Sequence, residues 1–206
     1  SSFTGIINFT ENTPPPVPPL SLPTNNSRVN ATTLLTVNSV TDAEGDAVYY
    51  SIVGGTSVNP TSLLQNTTGL TYNWTLTRGN SYYWRTKAED NYEASAYSAQ
   101  VNFTSNSLPV VTVVAINPDT AYTNSTLNCS ANFSDAEADK LNATFVWKNG
   151  TSLYSSITIN NIASTNTNSS YLLTASIQAR GENWTCEVNA FDSYENSSTV
   201  MAAELI

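Results

Sequence analysis

The stretch Glu182–Glu195 reads Glu-Asn-Trp-Thr-Cys-Glu-Val-Asn-Ala-Phe-Asp-Ser-Tyr-Glu. Its first half alternates: Trp184, Cys186, Val188 and Ala190 fall on one side, and the polar residues between them fall on the other. A period of two over this length is typical of a half-buried β-strand. The stretch therefore predicts a strand late in the chain whose cysteine faces the core.

The second cysteine lies in a similar setting. Cys129 belongs to Ser125–Phe133, which alternates in the same way, and Trp147 lies between the two cysteines in the stretch Phe145–Gly150. A cysteine, then a tryptophan on a short strand, then a cysteine on a late strand resembles the immunoglobulin domain. The resemblance implies that Cys129 and Cys186 bridge two sheets beside Trp147. A free buried pair is the alternative.

The late strand has an earlier counterpart without a cysteine. Ser81–Glu93 lines up with it, so that Trp84 takes the place of Cys186. This copy resembles the late strand of fibronectin type III-like domains, with Tyr82 as the corner tyrosine, whereas Trp184 occupies that position in the second copy. The resemblance implies that the Trp84 ring fills the space that the disulfide fills in the second copy.

Further matches follow in the same order along the chain. Asp42–Asp46 lines up with Asp135–Asp139, and Gly55–Ser57 lines up with Gly150–Ser152. Several matched positions in one order indicate an internal repeat of two related domains.

The predicted fold is all-β: two tandem antiparallel β-sandwich domains of the immunoglobulin/fibronectin III-like kind, preceded by an N-terminal extension strand. The proposed boundaries are a strand at 1–12, a proline-rich linker at 13–19, domain 1 at 20–104, a linker at 105–109 and domain 2 at 110–206. Within domain 2 one strand is predicted at 171–179.

Composition restricts the function. The net charge is −9 with 7 basic residues, which argues against a nucleic-acid surface. The absence of histidine removes Ser–His and Cys–His nucleophile systems, so we expect no enzyme. No apolar run is long enough for a membrane helix, and no signal peptide or initiating Met is present, which indicates a mature chain or an excised piece. Paired cysteines favour an oxidising compartment.

Asn-x-Ser/Thr sequons are frequent, numbering 14, roughly twice the chance expectation for this composition. On the predicted strands, Asn73, Asn102, Asn128, Asn132 and Asn183 all fall on the outward phase, where a glycan can be accommodated. The alternative is that outward strand positions are polar in any case. The predicted N-glycosylation sites are Asn8, Asn25, Asn30, Asn66, Asn73, Asn102, Asn124, Asn128, Asn132, Asn142, Asn149, Asn168, Asn183 and Asn196.

Acidic residues recur at equivalent places in the two copies, in the loop after the second strand and in the loop after the late strand. In an immunoglobulin-like sandwich those loops share one end, where the preceding linker also enters. Clustered carboxylates suit Ca²⁺, although solvated acidic turns are the plain alternative. The predicted ligands are Asp42, Glu44, Asp46, Asp90 and Glu93 in the first copy, and Asp135, Glu137, Asp139, Asp192 and Glu195 in the second.

The first residues form an amphipathic strand candidate with Phe3, Ile7 and Phe9 on one face. The proline run Thr13–Pro19 favours polyproline II and predicts a stiff spacer. One strand alone cannot bury its apolar face, so we expect it to pair with a sheet edge of another copy. The alternative is the end of a covalently preceding domain, because Ile7–Pro14 resembles Val101–Leu108.

The chain resembles the repeat domains of glycosylated prokaryotic, and possibly archaeal, cell-surface proteins. The preferred function is an extracellular or cell-surface structural subunit of a filament or coat, polymerising head-to-tail with copies of itself through the N-terminal strand. We expect no nucleic-acid partner and no membrane insertion. The alternative is a two-domain piece of a longer adhesin that binds a protein or glycan. Five tyrosines would offer stacking faces for a sugar, with core packing or exposed strand positions as the alternative: Tyr49, Tyr50, Tyr83, Tyr92 and Tyr97. Expected cofactors are Ca²⁺ and N-linked glycans.

Overall fold

The structure is a computed structural model that describes residues 11–175 and 177–206. The chain divides into two compact units, Ser1–Ser105 and Asn106–Ile206, and the division falls within the predicted linker at 105–109. The predicted N-terminal strand with Phe3, Ile7 and Phe9, and the sequon at Asn8, lie outside the described residues.

Unit 1 is a β-sandwich. Its strands are β1 Leu20–Leu22, β2 Ser27–Val29, β3 Thr32–Val37, β4 Tyr49–Gly55, β5 Leu63–Thr67, β6 Thr71–Thr75, β7 Ser81–Glu89 and β8 Val101–Ser105. One sheet has the order β1-β3-β6 and the other β2-β8-β7-β4-β5, with antiparallel pairing except between β2 and β8. Both sheets contribute to one core, in which Leu35, Ile52, Trp84 and Phe103 are fully buried.

Unit 2 repeats this architecture. Its strands are β9 Val110–Asn117, β10 Leu127–Ser134, β11 Leu141–Asn149, β12 Ser152–Ile162, β13 Thr165–Leu173, β14 Asn183–Phe191 and β15 Val200–Leu205. The sheets are β13-β10-β9 and β12-β11-β14-β15. The alternating residues of β10 and β14 face one core, as their period of two predicts. The prediction of an all-β fold with antiparallel, fibronectin III-like sandwiches is confirmed.

The disulfide joins the two sheets of unit 2. Cys129 on β10 and Cys186 on β14 are bonded, with 6.3 Å between their Cα atoms. Trp147 on β11 is the direct cross-strand partner of Cys186 and is fully buried. The arrangement that the resemblance implied is therefore present.

The corner residues differ between the units. In unit 1 the Tyr82 hydroxyl accepts a hydrogen bond from the Thr77 backbone N–H at 2.7 Å. The same hydroxyl donates to the Thr77 carbonyl oxygen at 3.2 Å. This is the corner tyrosine predicted from the sequence. In unit 2 the Trp184 indole N–H instead donates to the Glu182 carboxylate at 3.0 Å. A carboxylate two residues upstream thus anchors the tryptophan in place of the backbone.

Two expectations from the sequence need correction. The strand predicted at 171–179 is β13, Thr165–Leu173. Several residues of β13 that pair with β10 are small and polar. The first half of β13 therefore lacks the apolar alternation that marks the other strands. The proline run is not a free spacer: Pro15 and Pro18 are buried and the Thr13 hydroxyl donates to Glu44, so the run lies against unit 1.

Candidate functional site

The acidic loops of unit 1 converge at one end of the sandwich. Asp42 and Asp46 lie between β3 and β4, and Asp90 directly follows β7. One carboxylate oxygen from each of these three residues lies within 4.8 Å of the other two. Because β4 and β7 are paired antiparallel neighbours, the start of one and the end of the other bring the two loops together.

Unit 2 builds the same cluster. Asp135 and Asp139 lie between β10 and β11, Asp192 directly follows β14, and one oxygen from each lies within 4.8 Å of the others. The structure thus brings together six of the ten carboxylates that the sequence singled out, three in each unit. We call these groups the unit 1 triad and the unit 2 triad.

Backbone amides hold the first aspartate of each triad in the same way. The Asp42 Oδ1 atom accepts hydrogen bonds from the backbone N–H groups of Glu44 and Asp46, at 3.0 and 3.2 Å. The Asp135 Oδ1 atom accepts the equivalent bonds from Glu137 and Asp139, at 3.0 and 3.1 Å. Short polar side chains commonly bond the backbone just ahead of them in turns.

The aspartate after the late strand is fixed by a second turn. The Asp90 Oδ1 atom accepts hydrogen bonds from the backbone N–H groups of Tyr92 and Glu93, both at 2.6 Å. In unit 2 the Asp192 Oδ1 atom accepts equivalent bonds from the second and third residues after it, both at 2.7 Å. Two of the three carboxylates in each triad are therefore positioned by their own loops.

The chain segment that enters each unit also binds its acidic end. In unit 1 the Asn12 Nδ2 group donates to Asp90 Oδ2 at 3.2 Å, and the Thr13 hydroxyl donates to Glu44 at 2.7 Å. Sequence reasoning did not assign Asn12 and Thr13 to the site. The available signal was the similarity of Ile7–Pro14 to Val101–Leu108.

The equivalent residues of unit 2 make the equivalent bonds. The Asn106 Nδ2 group donates to Asp192 Oδ2 at 2.8 Å, and the Ser107 hydroxyl donates to Glu137 Oε1 at 2.8 Å. Asn106 is fully buried. Asn12 and Asn106 therefore correspond in sequence and in contacts, as do Thr13 and Ser107.

The predicted glutamate ligands lie beside the triads and make other contacts. Glu44 and Glu137 hold the entering segments through one carboxylate oxygen each. The Glu93 carboxylate accepts a long hydrogen bond from Asn12 Nδ2, at 3.5 Å. The Glu93 backbone N–H donates to Asp90. Neither triad includes a glutamate. Glu195 likewise contributes its backbone N–H, to Asp192.

The two triads differ in electrostatics. Burial raises the pKa of Asp135, and the nearby charges of Asp139 and Glu137 add to the rise against the opposing hydrogen bonds from the backbone. The backbone hydrogen bond from Glu93 is the main reason that the pKa of Asp90 is lowered, and the bonds from Tyr92 and Asn12 lower it further. The anionic form is thus better supported at Asp90 in unit 1 than at Asp135 in unit 2.

The predicted glycosylation sites within residues 11–175 and 177–206 all reach the surface. Of the thirteen sequon asparagines among the described residues, eight are exposed and five half-buried. Asn106, which is not in a sequon, is fully buried. On the outer face of the β13-β10-β9 sheet, Asn132 and Asn168 are cross-strand partners, and the Asn168 Nδ2 group donates to Asn132 Oδ1 at 2.9 Å.

The tyrosines proposed as a sugar-binding face are scattered. Tyr50 is buried and its hydroxyl accepts a hydrogen bond from the Val40 backbone. Tyr49 pairs with Glu89 near one end of β4, whereas Tyr83 pairs with Gly55 at the other end. The Arg85 guanidinium lies 4.2 Å from the centre of the Tyr97 ring and covers one of its faces. Tyr92 is well exposed in the loop after β7. The five rings therefore do not form one stacking surface.

No helix among residues 11–175 and 177–206 has the length and apolar character needed to cross a membrane.

Neither a protein-family model nor a curated protein sequence matches the chain.

Solved structures share a distant likeness. The FN1–FN3 domains of chicken CNTN1 are 12% identical with a TM-score of 0.45, covering 96% of this chain and 70% of that one. The chicken interferon gamma receptor alpha chain is 11% identical with a TM-score of 0.38, covering 95% of this chain and all of that one. A two-domain fibronectin type III segment of chicken tenascin has the same identity, TM-score and coverage. Similarity at this level carries no inference about ligands or partners. The class of protein is given by the strand order of the units themselves: a tandem, fibronectin III-like β-sandwich protein.

Proposed function

We propose that this protein is a non-enzymatic structural subunit of an extracellular, N-glycosylated filament or surface coat. The observation that carries the proposal is the placement of the sequons: every one among the described residues reaches the surface, while the fully buried Asn106 is not in a sequon. The cross-sheet disulfide of Cys129 and Cys186 supports an oxidising compartment outside the cell.

The subunits join head-to-tail through residues 1–12. Unit 2 already has its last strand, β15, and both of its sheets are formed. A strand donated by another copy therefore adds to a sheet edge rather than filling a gap. Such an addition is stabilised by main-chain hydrogen bonds between the two strands, and every second side chain of the added strand can fill a pocket on the acceptor. A head-to-tail contact whose rotation does not close builds an open filament.

The edge strand best suited to accept it is β12. It is eleven residues long and contains no charged residue, no proline and no sequon. Leu153, Tyr154 and Ile157 are exposed along it. Natural edge strands are commonly protected by charge, proline or brevity, and β12 has none of these. Its apolar side chains match the apolar face of Phe3, Ile7 and Phe9.

One observation favours the second candidate, a piece of a longer adhesin or repeat protein. Unit 1 binds Asn12 and Thr13 as unit 2 binds Asn106 and Ser107, and Asn106 directly follows β8, the last strand of unit 1. By this correspondence, the residues just before Asn12 match a last strand of a preceding sandwich. The intact mass of the native polypeptide distinguishes the two candidates, because a repeat protein is far longer than 206 residues.

Deleting residues 1–10 tests the polymerisation mechanism. The deletion keeps the contacts of Asn12 and Thr13, so we expect folded monomers and no filaments by electron microscopy. On the acceptor side, Ser156→Lys places a charge on the outer face of β12 and is expected to block addition, whereas Val146→Lys on the central strand β11 is the control, because it adds the same charge to an outer face without removing a sequon. Filaments that persist after the deletion would refute the mechanism.

A further inference from the structure

We propose that each triad is a Ca²⁺ site, one per unit. Asp42, Asp46 and Asp90 hold the ion in unit 1, and the ion in unit 2 is held by the residues Asp135, Asp139 and Asp192. The inference concerns each sandwich by itself and does not depend on polymerisation or on glycosylation.

Buried oxygen atoms without partners point to a ligand at both ends. Asp42 is more than nine-tenths buried, and its Oδ2 atom has no hydrogen-bond partner. In unit 2 the same holds for the Oδ1 atom of the fully buried Asn106, and unpartnered oxygens also occur in Asp135 and Glu137. These are four of the eight buried unpartnered side-chain atoms in the described part of the chain, and all four are acceptors.

Leaving such oxygens unpaired is costly, particularly when they belong to carboxylates. No donor from the described side chains reaches them. A cation satisfies several acceptors at once and also relieves the repulsion among three carboxylates within 4.8 Å of one another. The same arrangement of three aspartates occurs in both units. This repetition argues that the cluster is a binding site and not a chance grouping of surface acids.

The donor set favours Ca²⁺. All of the candidate ligand atoms are oxygens, which excludes a preference for softer metals. The three carboxylate oxygens of each triad lie within 4.8 Å of one another, so one Ca²⁺ ion with Ca–O distances of about 2.4 Å can contact all three. Mg²⁺ demands a stricter octahedron and tends to keep its waters, so it is expected to bind more weakly in these loops.

The structure also ranks the two sites. Unit 2 has three unpartnered oxygens at its acidic end, whereas unit 1 has one. Each unpartnered oxygen that contacts the ion adds to the free energy of binding, because it has no other partner to give up. We therefore expect Ca²⁺ to bind more tightly in unit 2.

The test is a titration of the purified 206-residue chain with Ca²⁺, read by native mass spectrometry and calorimetry. We expect two bound ions in the unmodified protein, one in Asp42→Asn and one in Asp135→Asn, with the tighter site lost in Asp135→Asn. Asparagine retains Oδ1 as an acceptor for the loop amides, so both variants are expected to fold. Asp119→Asn, an exposed acid outside both triads, is the control and should still bind two ions.

A second readout keeps the test decisive if one variant folds poorly. Removing Ca²⁺ with chelator should lower the melting temperature of the unmodified chain by several degrees, and adding Mg²⁺ alone should not restore it, because only a ligand selective for the native state stabilises it. Asp46→Asn and Asp139→Asn provide replacement variants in the same triads. No ion retained at millimolar Ca²⁺, or equal losses in Asp119→Asn and the triad variants, would overturn the proposal. Both readouts use the non-polymerised chain, so they stand apart from the filament experiment.

Discussion

Gly54 on β4 is the direct cross-strand partner of Trp84 on β7. In unit 2 the equivalent pair is Trp147 on β11 and Cys186 on β14. The tryptophan has thus changed strands between the two units, and its partner is the small residue in each case. The side chains of Leu64 and Trp74 occupy the space over Gly54 and leave no room for a side chain there, which is why unit 1 has glycine where unit 2 has tryptophan.

Gly54→Ala is expected to destabilise unit 1. A Cβ atom at Gly54 would lie 2.7 Å from both Leu64 Cδ1 and Trp74 Cη2, and overpacking of this kind costs about 1–3 kcal/mol. Gly55→Ala is the matched control, since its nearest neighbour, Pro60 Cβ, is at 3.8 Å. Hydrogen exchange of β7 peptides measures the change. Equal protection in the two variants would contradict this packing argument.

Removing the disulfide by changing both Cys129 and Cys186 to Ala is expected to weaken unit 2 only. The bridge closes a loop with a sequence separation of 57, for which the chain-entropy account gives about 4 kcal/mol. Urea unfolding followed by hydrogen exchange of β14 peptides should show the loss, while β7 peptides of unit 1 report no change. A uniform loss in both units would show that they do not unfold independently.

Ala138→Gly is expected to stabilise unit 2. Ala138 has a φ of 59°, and the equivalent Gly45 has a φ of 86°. A side chain in the left-handed region costs about 1–2 kcal/mol, partly offset by the greater freedom of glycine in the unfolded chain. Gly45→Ala is the reciprocal change and should destabilise unit 1. Thermal unfolding of both variants checks the signs, and a lower melting temperature for Ala138→Gly would refute the prediction.

The carboxylate of Glu182 is expected to make unit 2 sensitive to acid. Its pKa lies below the ordinary 4.5, chiefly because the Ala179 backbone N–H donates to it, with further bonds from Asn149 and Trp184. A lowered folded-state pKa contributes stability above the unfolded value, and that contribution is lost as pH falls through the folded value. Glu182→Gln removes this titration. The free energy of unfolding of unit 2 should therefore fall less steeply in the variant as the pH drops below the unfolded-state pKa of Glu182. An unchanged pH profile would exclude this role.

Glycans are expected on the outward strand sequons of native material. Peptide mass spectrometry should find Asn73, Asn102, Asn128, Asn132 and Asn183 modified, because each is exposed or half-buried on its strand. Asn106 provides an internal negative control, since it is fully buried and outside any sequon. Native protein with all five asparagines unmodified would end the glycosylation proposal.

Strand identity followed largely from the sequence, because a period of two is a local property of the chain. The inward phase of β7, β10 and β14, and the pairing of Cys129 with Cys186, were predicted from that alternation and from the family resemblance. The strand β13 shows the limit of this reasoning. Its first half is small and polar, and it is placed by its hydrogen bonds to β10 rather than by its own pattern.

The tertiary structure decided which of the acidic residues gather. The sequence nominated ten carboxylates on composition and repeat position, but only the pairing of β4 with β7 and of β11 with β14 brings three aspartates together at each end. The roles of Asn12 and Asn106 depend on contacts to residues 78 and 86 positions away. Convergence over such separations is fixed by the register of paired strands, and no short-range sequence pattern records it.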